Sequence, residues 1–204
     1  MANTISSGAN VIFETIRGFI SGFFEKGNSV VGVDLGSSSI KVVQLKKKKG
    51  KAVLETYGEL ALGSYAGFPI GQATNLPEKK LSEALLDIIR EANVSTADAG
   101  ISVPLASSLL LVIDMPVIKG ASLKEMVPIE ARKYIPVPIG EVTLDWRIIP
   151  SAELPTAPLG GEGRKTTKVL LAAIHNEIIN KYQHIAAQSG LTINFLEIEV
   201  FSSV

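Results

Sequence analysis

Residues 30–45 read V-V-G-V-D-L-G-S-S-S-I-K-V-V-Q-L. Val30 to Leu35 is a short apolar run rich in β-branched residues, the pattern of a buried strand. Gly36 allows a tight turn, and Ser37, Ser38 and Ser39 follow it. Ile40 to Leu45 is apolar again, interrupted by Lys41 and Gln44. The stretch therefore predicts strand, polar turn, strand, with one acid and one base flanking the turn. Consecutive N–H groups in such a turn suit an anion. Lys41 would add positive charge to a phosphate oxygen, and Asp34 would hold a hydrated Mg²⁺. An ordinary hairpin, with Asp34 and the serines bonding their own backbone, accounts for the same residues. Neither a GK[ST] phosphate loop nor a G-x-G-x-x-G fingerprint occurs.

Toward the N-terminus, residues 1–10 are small and polar. Residues 11–24 then place Ile12, Phe13, Ile16, Phe19, Ile20, Phe23 and Phe24 at helical spacing, with Glu14, Thr15, Arg17 and Ser21 opposite. This run is too short to span a bilayer. It has no preceding Lys or Arg and so does not read as a signal peptide. Two readings stand: a helix that meets a membrane surface or a partner, or a helix packed on the domain. Glu25 to Asn28 reads as a linker, which sets residues 1–27 apart as a tail.

Toward the C-terminus, K-K-K-K-G-K at 46–51 reads as a solvated turn. A strand follows, A-V-L-E-T-Y-G-E-L-A-L, and then a Gly/Pro-rich loop over 63–77. Pro77 to Asn93 predicts an amphipathic helix with Leu81, Leu85, Ile88 and Ile89 on one face. Strands are expected at 98–103 and 109–115. Ser122 to Glu125 forms a capping box that opens a helix to about Tyr134, with Pro128 inside it. Further strands are expected at 142–149 and 167–174, separated by a long loop over 150–165. A helix over 176–189 ends at Gly190, and a last strand covers 192–200. The fold class is mixed α/β with hairpins at the front, not a regular βαβ array.

Apolar residues make up 46% of the 204-residue chain and charged residues 20%, the balance of a globular protein. Formal net charge is zero, which argues against a nucleic-acid binder. Cysteine is absent, which excludes disulfides, thiol catalysis and Cys-type zinc sites and fits a reducing cytosol. His175 and His184 are nine apart and show no metal-ligand spacing.

Three blocks carry a family resemblance. V-G-V-D-L-G-S-S-S-I-K-V-V at 31–43 looks like the first phosphate motif of the actin-like ATPase superfamily. Residues 115–146, above all E-A-R-K-Y-I-P-V-P at 130–138, resemble the PilM family of type IV pilus assembly proteins, relatives of the division protein FtsA. V-L-L-A-A-I-H-N-E-I-I-N-K-Y at 169–182, with Ser189-Gly190-Leu191 and Leu196-Glu197-Ile198-Glu199, extends the likeness to about residue 201.

The resemblance implies an actin-like (ribonuclease H-like) lobe with a 1C-type subdomain. Subdomain 1A would run over 28–104 and return over 176–204, with the 1C-type insertion at about 105–175. It further implies ATP and Mg²⁺ as ligands. Asp34 would approach the metal through water, Gly36, Ser37, Ser38 and Ser39 would surround the phosphates, and Lys41 would meet the β/γ-phosphates. The implied partner is the cytoplasmic N-terminal peptide of a PilN-like inner-membrane protein, taken into a groove beside the 1C subdomain. Glu130, Arg132, Tyr134 and Ile135 mark the only candidate neighbourhood for it, although Glu130 and Arg132 could equally order the helix and the Pro turn. Other pilus assembly proteins would be partners, nucleic acid would not, and residues 11–24 would touch the membrane surface. The location implied is cytoplasmic and peripheral at the inner membrane.

No part of the chain resembles the family's second phosphate motif or its Gly-rich adenosine site. The expectation is one lobe holding half a nucleotide site, with weak or no ATP binding and no hydrolysis by this chain alone. A sugar or acetate kinase of the same superfamily opens with a similar turn, but no polar substrate cluster accompanies it here. A peptide-binding module without nucleotide chemistry is the third reading.

Overall fold

Backbone alternation on the first strand organises the larger of two compact units. The computed structural model describes residues 29–116, 122–150 and 166–202. Residues 11–24, and the loop expected after Pro150, lie outside that description. Among the described residues one unit comprises 29–105 with 177–202, and the other comprises 106–176.

In the first unit, β1 (Ser29–Leu35) and β2 (Ser39–Lys48) form the expected hairpin. They pair antiparallel from Ser29 opposite Lys46 to Leu35 opposite Ile40. β2 runs on through Lys46 to Lys48, so most of the basic run is strand and not turn. The turn is narrower than expected: Lys49 and Gly50 take φ of 50° and 78°. β3 (Lys51–Ala61) returns along β2, with a register shift between Gln44 and Leu45. Gln44 is buried there and fully used. Its Nε2 donates to Glu55 (2.6 Å) and Ser95 Oγ (2.8 Å), and its Oε1 accepts from Ser95 N–H (2.8 Å). A buried amide satisfied in this way costs little and fixes one register.

After β3 the Gly/Pro-rich segment contains a single helical turn, α1 (Gly63–Ala66), ended by left-handed Gly67. α2 (Glu78–Glu91) follows from Pro77 as expected. It buries Ser82, Ala84, Leu85 and Ile88, while Leu81 and Ile89 are half-buried. The buried stripe is rotated toward small residues because the chain packs closely against them: Ser189 Oγ donates to Ser82 O (3.1 Å). α2 covers the sheet face that carries Val42 and Gly58; Thr56 Oγ1 donates to Ala92 O from beneath (2.6 Å).

β4 (Asp98–Val103) joins β1 in parallel, and β8 (Thr192–Ile198) joins β4 in parallel. The sheet order is β3-β2-β1-β4-β8. Between β4 and β8 the chain runs through the second unit and then α4 (Asn176–Gln188), which buries Tyr182, Ile185 and Ala186. The last strand is shorter than expected, because residues from Glu199 turn into α5 (Glu199–Ser202).

The second unit is a three-stranded antiparallel sheet, β5 (Ser108–Pro116), β7 (Thr166–His175) and β6 (Val142–Ile149), in the order β5-β7-β6. α3 (Leu123–Ala131) follows β5 in sequence and covers one face. Ser122 caps it, its hydroxyl accepting from Lys124 N–H (3.3 Å). The helix stops at Ala131, earlier than expected; the chain then tightens, with Lys133 and Tyr134 N–H donating to Glu130 and Ala131 carbonyls. Ile113, Met115, Val127, Ala131, Val169 and Leu171 form the core beneath it, and Trp146 packs against that core.

Trp146 is the sole tryptophan, so its fluorescence reports this unit. Leu171→Ala removes a side chain that is 1% exposed. It is expected to lower stability by about 2–5 kcal/mol, read as an earlier urea midpoint by tryptophan emission.

Candidate functional site at the carboxyl ends of the parallel strands

Residues directly opposite one another in a sheet share a face. The registers of the larger unit therefore align Glu59, Lys41, Asp34, Ser102 and Glu197 in one row across all five strands. The row lies near the carboxyl ends of the parallel strands β1, β4 and β8, where ligands of open α/β sheets bind. The next row inward is Tyr57, Val43, Gly32, Gly100 and Phe195. A Cβ on Gly100 would lie 2.0 Å from the Phe195 ring, so only glycine lets that ring cross β4.

Asp34 is half-buried, and its Oδ1 accepts from Ser102 Oγ at 2.8 Å. This bond orients the carboxylate along the row. Lys41 is exposed and stands opposite Asp34 in the ladder. Two residues beyond Asp34, Gly36 N–H donates to Ser39 O (3.1 Å) and closes the turn. A Cβ on Gly36 would sit 2.8 Å from that same oxygen, so the turn requires glycine. The outer carbonyls of the turn are held from the next segment. Leu62 N–H donates to Ser38 O (2.9 Å), and Thr74 bonds Ser37 O with both its N–H (2.7 Å) and its Oγ1 (2.9 Å). The N–H groups of Ser37 and Ser38 have no acceptor among the described residues. The turn thus offers donors outward while its acceptors are tied back, a polarity suited to an anion.

Three further groups complete the neighbourhood, none of which the sequence reading singled out. Tyr182 of α4 is buried, and its hydroxyl is pushed up to about 12 by burial first and then by the charges of Asp34 and Glu199. Glu199 Oε1 accepts from Leu105 N–H (2.9 Å). Thr74 anchors the turn from a segment that reads only as loop. Among the described residues, no three His, Asp or Glu side chains converge for direct metal coordination. Asp34 is suited instead to a single contact with a hydrated cation.

A family model described as type IV pilus assembly protein PilM matches residues 32–204. The chain belongs to the PilM family. Among solved structures it is similar to a chain of the PilM–PilN type IV pilus biogenesis complex, with TM-score 0.65 and 21% identity over 85% of this chain. The match covers 48% of that structure's chain, so this chain spans about half its length. It is also similar to the cytoplasmic domain of EpsL, an inner-membrane component of the type II secretion system of Vibrio cholerae. There the TM-score is 0.50 and the identity 15%, over 85% of this chain and 58% of that one. At these identities the likeness establishes the fold alone, and it is the mixed α/β class expected from the sequence.

The four residues of the PilM-like E-A-R-K-Y-I stretch fall into different environments of the second unit. Ile135 belongs to its core cluster and is a packing residue. Glu130 holds Lys133 through both carboxylate oxygens, at 2.7 and 2.8 Å, an i,i+3 pair that raises the lysine pKa. Arg132 is exposed at the helix end, and Tyr134 is 45% exposed. Ile129, which the sequence reading passed over, is 64% exposed on the same helix. A helical position followed by Pro-limited turns gives no sequence signal for which side faces water.

Replacing Ser102 by Ala removes the donor that orients Asp34 and is expected to cost about 1–2 kcal/mol in urea unfolding. Tyr182 supplies a pH test. Its pKa in the folded chain, about 12, exceeds the ordinary 10.0. The stabilisation is therefore complete below pH 10.0 and is lost as pH rises through about 12. Tyr65, bonded to Asp87, is likewise raised to about 12, so ultraviolet titration should show two late phenolates, of which Tyr182→Phe removes one.

Proposed function

We propose that this chain is the lobe of a PilM-type scaffold that offers one wall of an ATP–Mg²⁺ site and receives an extended peptide from a PilN-like inner-membrane partner. The observation that carries the nucleotide half is the Asp34–Ser102 bond in that row, beside the Gly36–Ser39 turn. Asp34 would contact the metal through water, the Ser37 and Ser38 N–H groups would meet phosphate oxygens, and Lys41 would add charge to them. Phosphoryl transfer also needs the opposite side of the nucleotide to be held. The groups on this chain bind and orient, so its part in any reaction is positioning.

The peptide half draws support from family membership and from the likeness to the PilM–PilN complex. The exposed side chains around the end of α3, Ile129, Arg132 and Tyr134, are the surface we assign to it. Apolar side chains beside an exposed cation suit pockets for alternate residues of an extended segment. The scaffold works at the cytoplasmic face of the inner membrane, held by its partner, with the apolar residues of the 11–24 segment as a second contact. No helix among the described residues is long and apolar enough to cross a membrane.

Immobilised N-terminal peptide of the PilN-like partner should retain the chain, and Ile129→Glu with Tyr134→Ala should weaken retention about tenfold or more, the loss of a small apolar anchor pair. Retention unchanged by both substitutions would move the peptide elsewhere. In calorimetry with Mg-ATP, Asp34→Asn and Gly36→Val should each diminish whatever heat the unaltered protein gives. Equal, measurable heats from all three proteins would remove the turn from the nucleotide site.

A further inference from the structure

Lys46, Lys47, Lys48, Lys49 and Lys51 occupy the end of the β2–β3 hairpin. β1 stops pairing at Lys46, opposite Ser29, while β2 and β3 continue to the Lys48–Lys51 pair. The tip is therefore a two-stranded finger standing past the end of the central strand. Register and alternation put Lys47 on one face and Lys46, Lys48 and Lys51 on the other. Only Lys46 has an acidic partner among the described residues, Glu55 at 3.9 Å.

Apolar side chains accompany the charge. Leu54 is 54% exposed and Tyr57 71% exposed, and Val43 and Val53 are exposed beside them. Leu54 and Val53 lie next to the finger on its two faces. Edge protection does not account for the lysines. β3 is the edge strand and β2 is open on its β1 side past Lys46, but one or two charges would blunt either edge, and five lysines crowd the tip. We propose that the β2–β3 finger is a docking element for an anionic phospholipid surface, its lysines meeting headgroup phosphates while Leu54 and Val53 enter the interface.

A lipid surface fits better than an acidic protein or a nucleic acid. Cations and apolar groups occur on both faces of the finger, and a fluid headgroup layer surrounds such a tip while a folded partner meets one face. Clusters of four to eight lysines are the composition that anionic leaflets attract. The chain elsewhere lacks the basic surplus of a nucleic-acid binder, with formal net charge zero. Topology adds a second reason. Ser29 lies beside Lys46, and in the sequence Glu25 to Asn28 and the apolar residues 11–24 precede it.

The test is co-sedimentation of the full 204-residue chain with phosphatidylcholine vesicles, with and without phosphatidylglycerol, at low and physiological ionic strength. Binding should require phosphatidylglycerol and weaken with salt. The variant Lys47→Gln, Lys48→Gln, Lys49→Gln, Lys51→Gln should partition at least about tenfold less, since each lysine near such a surface counts for roughly fivefold. These side chains lie on the projecting tip, so circular dichroism should show the variant folded. Leu54→Ser should reduce binding at both salt levels, which a purely ionic contact would not do. Three outcomes would overturn the proposal: equal partitioning of the quadruple variant, which leaves residues 11–24 as the whole contact; equal binding to neutral vesicles; or lysine-dependent retention on poly-glutamate or transfer RNA with none on phosphatidylglycerol.

Discussion

β1 pairs differently on its two sides, and the larger unit depends on that difference. Toward β2 it is antiparallel and closed by a tight turn; toward β4 it is parallel and reached only after a helix. Parallel pairing sets residues of like position side by side, so Asp34 falls beside Ser102 and, across β4, beside Glu197. Antiparallel pairing sets the ends of a hairpin opposite each other, so Lys41 falls beside Asp34. One strand with two kinds of neighbour thus gathers a charged row from residues 34 to 197. A slip of one residue in either pairing would turn the row to the helix-covered face.

Close approach at a few small residues makes that arrangement possible. Gly36 lets the turn fold onto Ser39, and Gly100 lets the Phe195 ring lie across β4. Ser82 brings Ser189 into hydrogen-bond range, binding the residue after α4 to α2. Polar groups buried by this packing are satisfied. Gln44 makes three bonds, and among the described residues no buried side-chain nitrogen or oxygen lacks a partner. Since an unpaired buried polar group costs about 1–3 kcal/mol, these bonds select the register as well as stabilise it.

The two ends of β2 have opposite character. At the carboxyl ends of the parallel strands the turn Gly36–Ser39 presents N–H groups without fixed acceptors, beside one carboxylate and one ammonium. At the far end of β2 the tip presents several ammonium groups and exposed aliphatic side chains. The first is a small concave donor set suited to a phosphate. The second is a convex, mobile-charge surface suited to many phosphates at once.

Much of the element order was legible in the sequence because it rests on local patterns. The β-branched run before Asp34, the small turn, the period of Leu85 and Ile88, and Gly190 after a helix each signal their structure within a few residues. Local patterns misjudged Lys46 to Lys48, whose charge suggested a turn, because pairing with β3 holds lysines in a strand as readily as valines when both faces reach water. They could not show that Ser102 bonds Asp34 or that the charges of Asp34 and Glu199 both act on Tyr182, since these partners lie 68 or more positions from Asp34. The sequence by itself determined the strands, helices and family of this protein, because hydrophobic period and turn chemistry act over one or two turns of chain. Only the tertiary structure decided which polar residues stand in the row with Asp34 and which side chains of α3 are exposed to water. Those choices follow from strand register and packing between distant segments.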